Sequence, residues 1–207
     1  MKDFNSIVGS LRENLKKELP GLSAQINMAP TLRTAPGFPK EPNSNTRNSA
    51  VLISIYPDNK TANTILIKRT EYTGVHRGQI SFPGGKQDEV DRSYIDTALR
   101  EAEEEIGINP NEVEVIGSLT PLFIPVSNML VVPVVGIIPK PLNLHLNLQE
   151  VEYTIRVGLD HLQDPNNQSV KTICVGFLPI SAPYYSVDKE VVWGATAMII
   201  SELTQLY

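Results

Sequence analysis

Residues 98–108 read ALREAEEEIGI, and four of these eleven residues are glutamates, at position 101 and at positions 103–105. The apolar residues around them recur at helical spacing, so the sequence predicts a helix over about residues 93–105. Ser93 or Asp91 is its candidate N-cap, and Gly107 is of a residue type that commonly ends helices. So much negative charge on a short helix that must also pack requires a physical reason.

Three of the four glutamates share one face of this predicted helix. With a rotation of about 100° per residue, Glu101, Glu104 and Glu105 fall within one arc, whereas Glu103 points elsewhere. Like charges one turn apart repel, and Arg100 can pair with Glu104 but cannot balance three anions. Divalent cations such as Mg²⁺ or Mn²⁺ prefer such oxygen ligands, and a solvated acidic face is the alternative. The arc expected to be buried carries Ile95, Ala98, Leu99, Ala102 and Ile106.

A glycine bend lies upstream of the helix, in the segment FPGGKQD at residues 82–88. Glycines let the backbone turn sharply and direct a carbonyl oxygen toward the helix. A loop carbonyl together with helix carboxylates forms an oxygen cage suited to a metal ion that holds a phosphate. FPGG alone indicates only a tight turn, but the bend and the glutamates together favour a metal site.

Composition limits the possible partners. The chain has 207 residues, 41% of them hydrophobic, with a net charge of −5 and a pI near 5.3. An acidic chain lacks the basic face that binds nucleic acid. The longest apolar run, residues 129–138, is too short to span a membrane, and the first residues lack a signal-peptide pattern. Cys174 is the only cysteine; we expect it to be a buried small hydrophobe in a cytoplasmic protein.

The order of elements predicts one α/β domain with a mixed sheet flanked by helices. Residues 3–19 have the spacing of an amphipathic helix, and the stretch 20–48, with its five prolines, indicates a loop or extended arm. Residues 50–56 and 64–69 indicate a β-hairpin, further strands follow the glutamate helix, and a last helix begins near Ala195. We therefore divide the chain into a helix and arm over 1–46 and a domain over 47–207.

The bend and helix resemble the Nudix box, G-x5-E-x7-R-E-U-x-E-E-x-G-U, in which U is aliphatic. Residues 100–108, REAEEEIGI, match its second half, and Gly85 opens a box spanning 85–108. Asp91 stands where the family has its first glutamate, and one extra residue separates it from Arg100. That longer form, with GGK followed by two aspartates at positions 88 and 91, resembles the coenzyme A diphosphatase-like subgroup.

The sequence is also similar to a second signature of the subgroup, L-L-T-x-R-[SA]-x3-R-x3-G-x3-F-P-G-G. Arg69, Gly78 and the segment 82–85 are in register with it, and the likeness extends over about residues 47–203. Ile67, Thr70 and Gly74 depart from it. Gly74 replaces an arginine that could contact a substrate phosphate, which favours the alternative of a different nucleotide substrate.

The resemblance implies an α/β/α sandwich around a mixed sheet and a hydrolase that uses Mg²⁺ or Mn²⁺. It implies cleavage of coenzyme A or its derivatives into 3′,5′-ADP and 4′-phosphopantetheine species. The metal ligands would be the Gly84 carbonyl, Glu101 and Glu105, with Glu104 a further ligand or the general base. Arg100 would orient a glutamate by ion pairing.

Other residues are candidates for substrate contact. Arg69 and Arg77 carry guanidinium groups that match phosphate oxygens, and His76 could contact phosphate or transfer a proton. In related enzymes a later loop residue can be the base, for which Glu150 and Glu152 are the candidates. Surface roles for His76 and for both later glutamates are equally compatible with the sequence.

Three alternatives remain open from the sequence: a Nudix hydrolase of ADP-ribose, NADH or a dNTP, a nucleotide-sensing module without catalysis, and a scaffold with an acidic face. The expected partner is a small-molecule nucleotide, with neither nucleic acid nor membrane involved. Many members of the family pair, so the resemblance also allows a homodimer.

Overall fold

The computed structural model describes residues 3–37, 41–70, 78–176 and 178–207. Its helices are α1 (Phe4–Asn14), α2 (Gly21–Gln25), α3 (Thr31–Thr34), α4 (Tyr94–Ile106), α5 (Leu159–Gln163) and α6 (Gly194–Leu203). Its strands are β1 (Arg47–Asp58), β2 (Thr61–Arg69), β3 (Ile80–Ser81), β4 (Gly84–Lys86), β5 (Glu114–Ser118), β6 (Leu122–Ile124), β7 (Met129–Ile137), β8 (Val151–Gly158), β9 (Gln168–Val175), β10 (Leu178–Val187) and β11 (Glu190–Trp193). Within the described ranges, no helix has the length and apolar character needed to cross a bilayer.

The large sheet is mixed, as predicted. Its strands run in the order β3-β2-β1-β7-β5, with β4 attached to β1, β6 to β7 and β8 to β2. β1 is parallel to β7 and antiparallel to β2 and β4. The predicted hairpin joins β1 to β2 through Asn59 and Lys60, whose φ angles of 47° and 71° suit a two-residue type I′ turn.

Alternate residues of β1 face two different helical layers. Leu52 belongs to the same buried cluster as Ala102 of α4. Ile53 belongs to the opposite cluster, together with Leu11 of α1 and Ile200 of α6. Because strand side chains alternate between faces, the central sheet is covered on both sides. The result is the α/β/α sandwich that the resemblance implies.

The N-terminal segment differs from the predicted extended arm. α1 ends at Asn14, and α2, a 3-10 turn at Ile26–Met28 and α3 follow it. Ala24 and Met28 are buried, with 1% and 4% of their surface exposed. The prediction of a loop or extended arm was wrong, because α2 and the 3-10 turn pack on α6 and α3 packs beside β10. The boundary at residues 46 and 47 stays a prediction.

A second sheet, in the order β11-β10-β9, is antiparallel and was not foreseen as a separate unit. Cys174 lies on β9 and is exposed. The prediction that it is buried was wrong, because β9 is the edge strand of this small sheet. Ile95, expected on the buried face of α4, is 42% exposed because it lies in the first turn of that helix.

Candidate active site

The ends of α4 are fixed by residues that the sequence identified. Ser93 is the N-cap, and its Oγ accepts a hydrogen bond from the Asp96 amide at 3.2 Å. Gly107 ends the helix in the left-handed conformation at φ 74°, and the next amide reaches back to the Ala102 carbonyl. The Gly107 amide donates to the Glu103 carbonyl at 2.9 Å, which is the hydrogen bond of the αL motif. Because both ends of the helix are fixed, the glutamate side chains between them point in defined directions from the helix axis.

Glu105 is the most deeply buried of the glutamates on α4, with 0% of its surface exposed. Its Oε2 accepts a hydrogen bond from the Gly84 amide at 2.8 Å. Arg69 Nη1 lies 2.8 Å from Oε1, an ion pair whose angles do not make a hydrogen bond, so Oε1 has no hydrogen-bond partner. Burial raises the pKa of Glu105 to about 7, although Arg69 and the Gly84 amide oppose the shift.

The glycine bend contacts α4 through the Gly84 amide, whereas the Gly84 carbonyl contacts Arg69. Gly84 has φ 152°, and its carbonyl oxygen accepts a hydrogen bond from Arg69 Nη1 at 3.2 Å. A Cβ atom at Gly85 would lie 2.3 Å from Glu101 Oε2. The missing side chain therefore lets the Glu101 carboxylate approach the bend. Burial raises the pKa of Glu101, and the hydrogen bond from Arg100 opposes that shift.

Arg100 connects the acidic residues around it. Its Nη1 lies 3.0 Å from Glu101 Oε1 and 3.1 Å from Glu104 Oε2. Its Nε and Nη2 bind the two oxygens of Asp91 at 2.9 and 2.8 Å. Asp91, whose role the sequence left open, is therefore a positioning residue that holds the guanidinium. The hydrogen bond from Arg100 keeps the pKa of Asp91 well below its usual range.

The donor set fits a hard divalent cation. Glu105 offers an oxygen without a hydrogen-bond partner, Glu101 reaches the bend because Gly85 has no side chain, and the Gly84 carbonyl adds a neutral oxygen. As they stand, the described residues contain no cluster of three or more His, Cys, Asp or Glu side chains at metal-binding distance. The physical reason is that Arg100 attracts Glu101 and Glu104, whereas Arg69 attracts Glu105.

The remaining predicted residues separate into three groups. Arg69 lies at the centre of the site, and Glu150 lines the adjacent cleft. Glu152 is on β8 with an exposed side chain. His76 and Arg77, predicted to bind substrate, and Gly74 lie outside the described residues.

A cleft of about 1170 Å³ begins at the bend. Its floor includes Ser49 and Val51 of β1, and its walls include Cys174 of β9, Trp193 of β11 and Met198 of α6. Cationic side chains line it as well, from Arg33, Arg47, Arg69 and Lys86. Sequence reasoning missed Arg33 and Arg47, because nothing local distinguishes a cation in the proline-rich stretch or at a strand start from a surface charge.

A mixed sheet between helices, with a glutamate helix directed at a glycine bend, defines a Nudix domain. The sequence profile of the NUDIX domain family matches residues 46–157. The chain belongs to the Nudix hydrolase family, and it is therefore a hydrolase that acts on diphosphate bonds. Members of this family generally need divalent metal ions and act on small nucleotide derivatives.

Relatives and solved structures agree with this assignment. The chain is 36% identical over 170 residues to an uncharacterized Nudix hydrolase, NudL, of Photorhabdus laumondii, covering 82% of this chain and 90% of that one. It is 35% identical to the human mitochondrial coenzyme A diphosphatase NUDT8, over 68% of this chain and 60% of that protein. The crystal structure of a MutT/nudix family protein from Enterococcus faecalis covers 80% of this chain and 63% of its own, with 16% identity and a TM-score of 0.54. That similarity concerns the fold alone.

Proposed function

We propose that the protein hydrolyses the diphosphate bond of coenzyme A or a coenzyme A derivative with Mg²⁺ or Mn²⁺, giving 3′,5′-ADP and 4′-phosphopantetheine species. The observation that carries this proposal is that Glu101 and Glu105 both contact the Gly84–Gly85 bend, beside Arg69 and next to the large cleft. Oxygen ligands and a cation at one point suit a diphosphate that is bound through a metal ion.

Each residue has a role that follows from its contacts. Glu101, Glu105 and the Gly84 carbonyl would hold the metal, with Glu104, which is exposed, as a further ligand or the general base. A bound divalent ion supplies charge neutralisation at the diphosphate and lowers the pKa of water. Arg69 contacts two of these ligands, through an ion pair to Glu105 and a hydrogen bond to the Gly84 carbonyl, and its guanidinium would be available to a substrate phosphate. Arg100 keeps Glu101 in place.

The size and lining of the cleft support a long substrate with both charged and apolar parts. Trp193 offers apolar surface for a base or a pantetheine chain, whereas the arginines would face anionic groups. The similarity to the human coenzyme A diphosphatase points in the same direction. The single cysteine fits a cytoplasmic enzyme, and a homodimer stays part of the proposal on resemblance alone.

The second candidate is hydrolysis of another nucleoside diphosphate derivative, such as ADP-ribose, NADH or a dNTP. Gly74 favours it, because the subgroup has an arginine at that position. A panel of these substrates and coenzyme A, each with Mg²⁺ or Mn²⁺, distinguishes the two candidates. Much faster turnover of another nucleotide than of coenzyme A would overturn the substrate assignment and leave the family assignment intact.

The matched variants Glu105→Gln and Glu103→Gln test the site itself. Both remove one charge from α4, but Glu105 is buried at the bend and Glu103 is exposed. We expect Glu105→Gln to lose two or more orders of magnitude in kcat at an unchanged circular dichroism spectrum, and Glu103→Gln to keep its activity. Equal activity of the two variants would remove the metal site from the proposal.

A further inference from the structure

The cleft is lined by two arginines besides Arg69, namely Arg33 and Arg47. Arg33 on α3 lines the cleft and is partly buried. Within the part of the chain that the structure describes, its guanidinium makes no hydrogen bond or ion pair, and burial lowers its pKa. A desolvated cation without an anion is costly unless a ligand supplies one. Arg33 is therefore placed to receive an anionic group from a bound molecule.

Arg47, at the start of β1, lines the same cleft. The register pairs Ala50 with Gly85, so Arg47 lies three strand positions, roughly 10 Å, along β1 from the glycine bend. Arg47, Ser49 and Val51 alternate along the strand, and all three line the cleft. At that separation along the strand, a phosphate at Arg47 would be a separate group from the diphosphate, whose metal ion Glu101 and Glu105 would hold.

Ser127 adds a hydroxyl group beside Arg47. Arg47 Nη2 donates a hydrogen bond to the Ser127 carbonyl at 2.8 Å. Ser127 lines the cleft, is 8% exposed, and its Oγ has no hydrogen-bond partner among the described residues. A buried hydroxyl in that state is rare, because the unpaired group has lost its hydrogen bonds to water without replacing them.

The backbone around this region is held in place. Thr46 Oγ1 donates a hydrogen bond to Asn128 Oδ1 at 2.8 Å, and the Asn128 amide group donates one to the Asn45 carbonyl at 3.0 Å. Asn128 has φ 47° and closes the turn from Pro125 that presents Ser127. The strand start and the turn are thus joined before any ligand binds.

We propose that Arg33, Arg47 and the Ser127 hydroxyl form an anion subsite for a phosphomonoester that the substrate carries apart from its diphosphate. The identification of that group as the 3′-phosphate of coenzyme A rests on the proposed function, since 3′,5′-ADP is the expected product. ADP-ribose and NADH have no such phosphate. The subsite therefore selects for nucleotides with a phosphorylated ribose.

Binding without turnover tests the subsite directly. Calorimetric titrations in EDTA compare adenosine 3′,5′-bisphosphate with AMP, using Arg33→Gln, Arg47→Gln and Ser127→Ala. We expect the bisphosphate to bind the unmodified protein at least tenfold more tightly than AMP. Each arginine variant reduces that ratio by about tenfold, because one charged hydrogen-bonding partner is lost. Lys171→Gln removes an equal charge from exposed β9 and leaves the ratio unchanged.

The outcomes separate this subsite from the proposed function. Equal affinities for the bisphosphate and AMP in the unmodified protein, or a ratio unaffected by Arg33→Gln in a variant of unchanged Tm, overturns the subsite. Displacement of bisphosphate by millimolar inorganic phosphate as effectively as by AMP shows a general anion site and also overturns it. If the arginine variants reduce the preference for the bisphosphate as expected but coenzyme A is not hydrolysed, the proposed function is wrong and the subsite stands. If both hold, kcat/KM for coenzyme A exceeds that for 3′-dephospho-coenzyme A, and Arg33→Gln removes the excess.

Discussion

Gly85→Ala tests whether the position of Glu101, rather than its presence, matters to catalysis. The added Cβ would lie 2.3 Å from Glu101 Oε2, 2.5 Å from its Cδ and 2.6 Å from Oε1. Ordinary contacts of a Cβ begin near 3.4 Å, so the carboxylate must retreat by about 1 Å. Gly85 is not among the residues with positive φ, so alanine fits its backbone. The fold is therefore expected to survive while the carboxylate moves.

A displacement of about 1 Å in a catalytic group costs about 100-fold in rate. We expect kcat/KM of Gly85→Ala to fall by that factor with the best substrate of the panel and saturating Mn²⁺, and Tm to change by less than about 3 °C. Stopped-time product analysis by ion-exchange chromatography gives the rate, and a thermal melt gives Tm.

Two other glycines provide the controls. A Cβ at Gly9 on α1 meets nothing within 4 Å, so Gly9→Ala keeps full activity. A Cβ at Gly84 would lie 2.3 Å from the Ala50 carbonyl oxygen, a backbone atom that cannot move aside, so Gly84→Ala loses stability as well as activity. Activity of Gly85→Ala within threefold of the unmodified protein refutes the reasoning, and so does a Tm loss equal to that of Gly84→Ala.

Two further predictions concern stability. Asp91→Asn should lower the free energy of unfolding by about 3 kcal/mol at pH 7, because it breaks the paired hydrogen bonds to Arg100. The pKa of Asp91 is lowered in the folded state, so this stabilisation is present above the pKa of Asp91 in the unfolded chain, about 3.9, and is lost as the pH falls further. Urea titrations at pH 7 and pH 3 check this dependence. Glu114→Gln, which removes an exposed ion pair, is the control. Glu202→Ala should lower the free energy of unfolding by about 3 kcal/mol or more, since the fully buried carboxylate accepts hydrogen bonds from Gly21, Gln25 and Thr120. A loss in Tm below 2 °C would contradict this prediction.

Local pattern made the glutamate helix predictable. Ser93, Gly107 and the buried Ala98 and Ala102 act within one or two turns, so the sequence carries the whole signal for that element. The same periodicity placed Glu101, Glu104 and Glu105 on one face but could not reveal their different environments. Glu105 is buried by β1 and β4, which are distant in sequence, and so only the tertiary structure distinguishes it from exposed Glu104.

Long-range contacts explain what the sequence did not predict. In the sequence, Glu202 is indistinguishable from a surface charge on the last helix. In the structure it is buried and accepts four hydrogen bonds from residues far away in the chain. Arg33 lies in a stretch whose prolines indicate a loop, and its place in the cleft depends on packing of α3 beside β10. Neither contact can be predicted from the spacing of residues in the sequence, because each is made by a single side chain.

The cleft is lined by segments from inside and outside the range that matches the family profile. The bend and α4 lie within residues 46–157, the range that matches the family profile. Arg33 lies before that range, and Trp193 and Met198 of the apolar wall lie after it. Glu202 joins these two flanks by binding the start of α2 from α6, so the segments that line the cleft are fixed to each other as well as to the sheet. Arg47 and Ser127 also lie within residues 46–157, so similarity over that range covers the diphosphate site and part of the proposed subsite, whereas the contributions of Arg33 and Trp193 depend on the flanking segments.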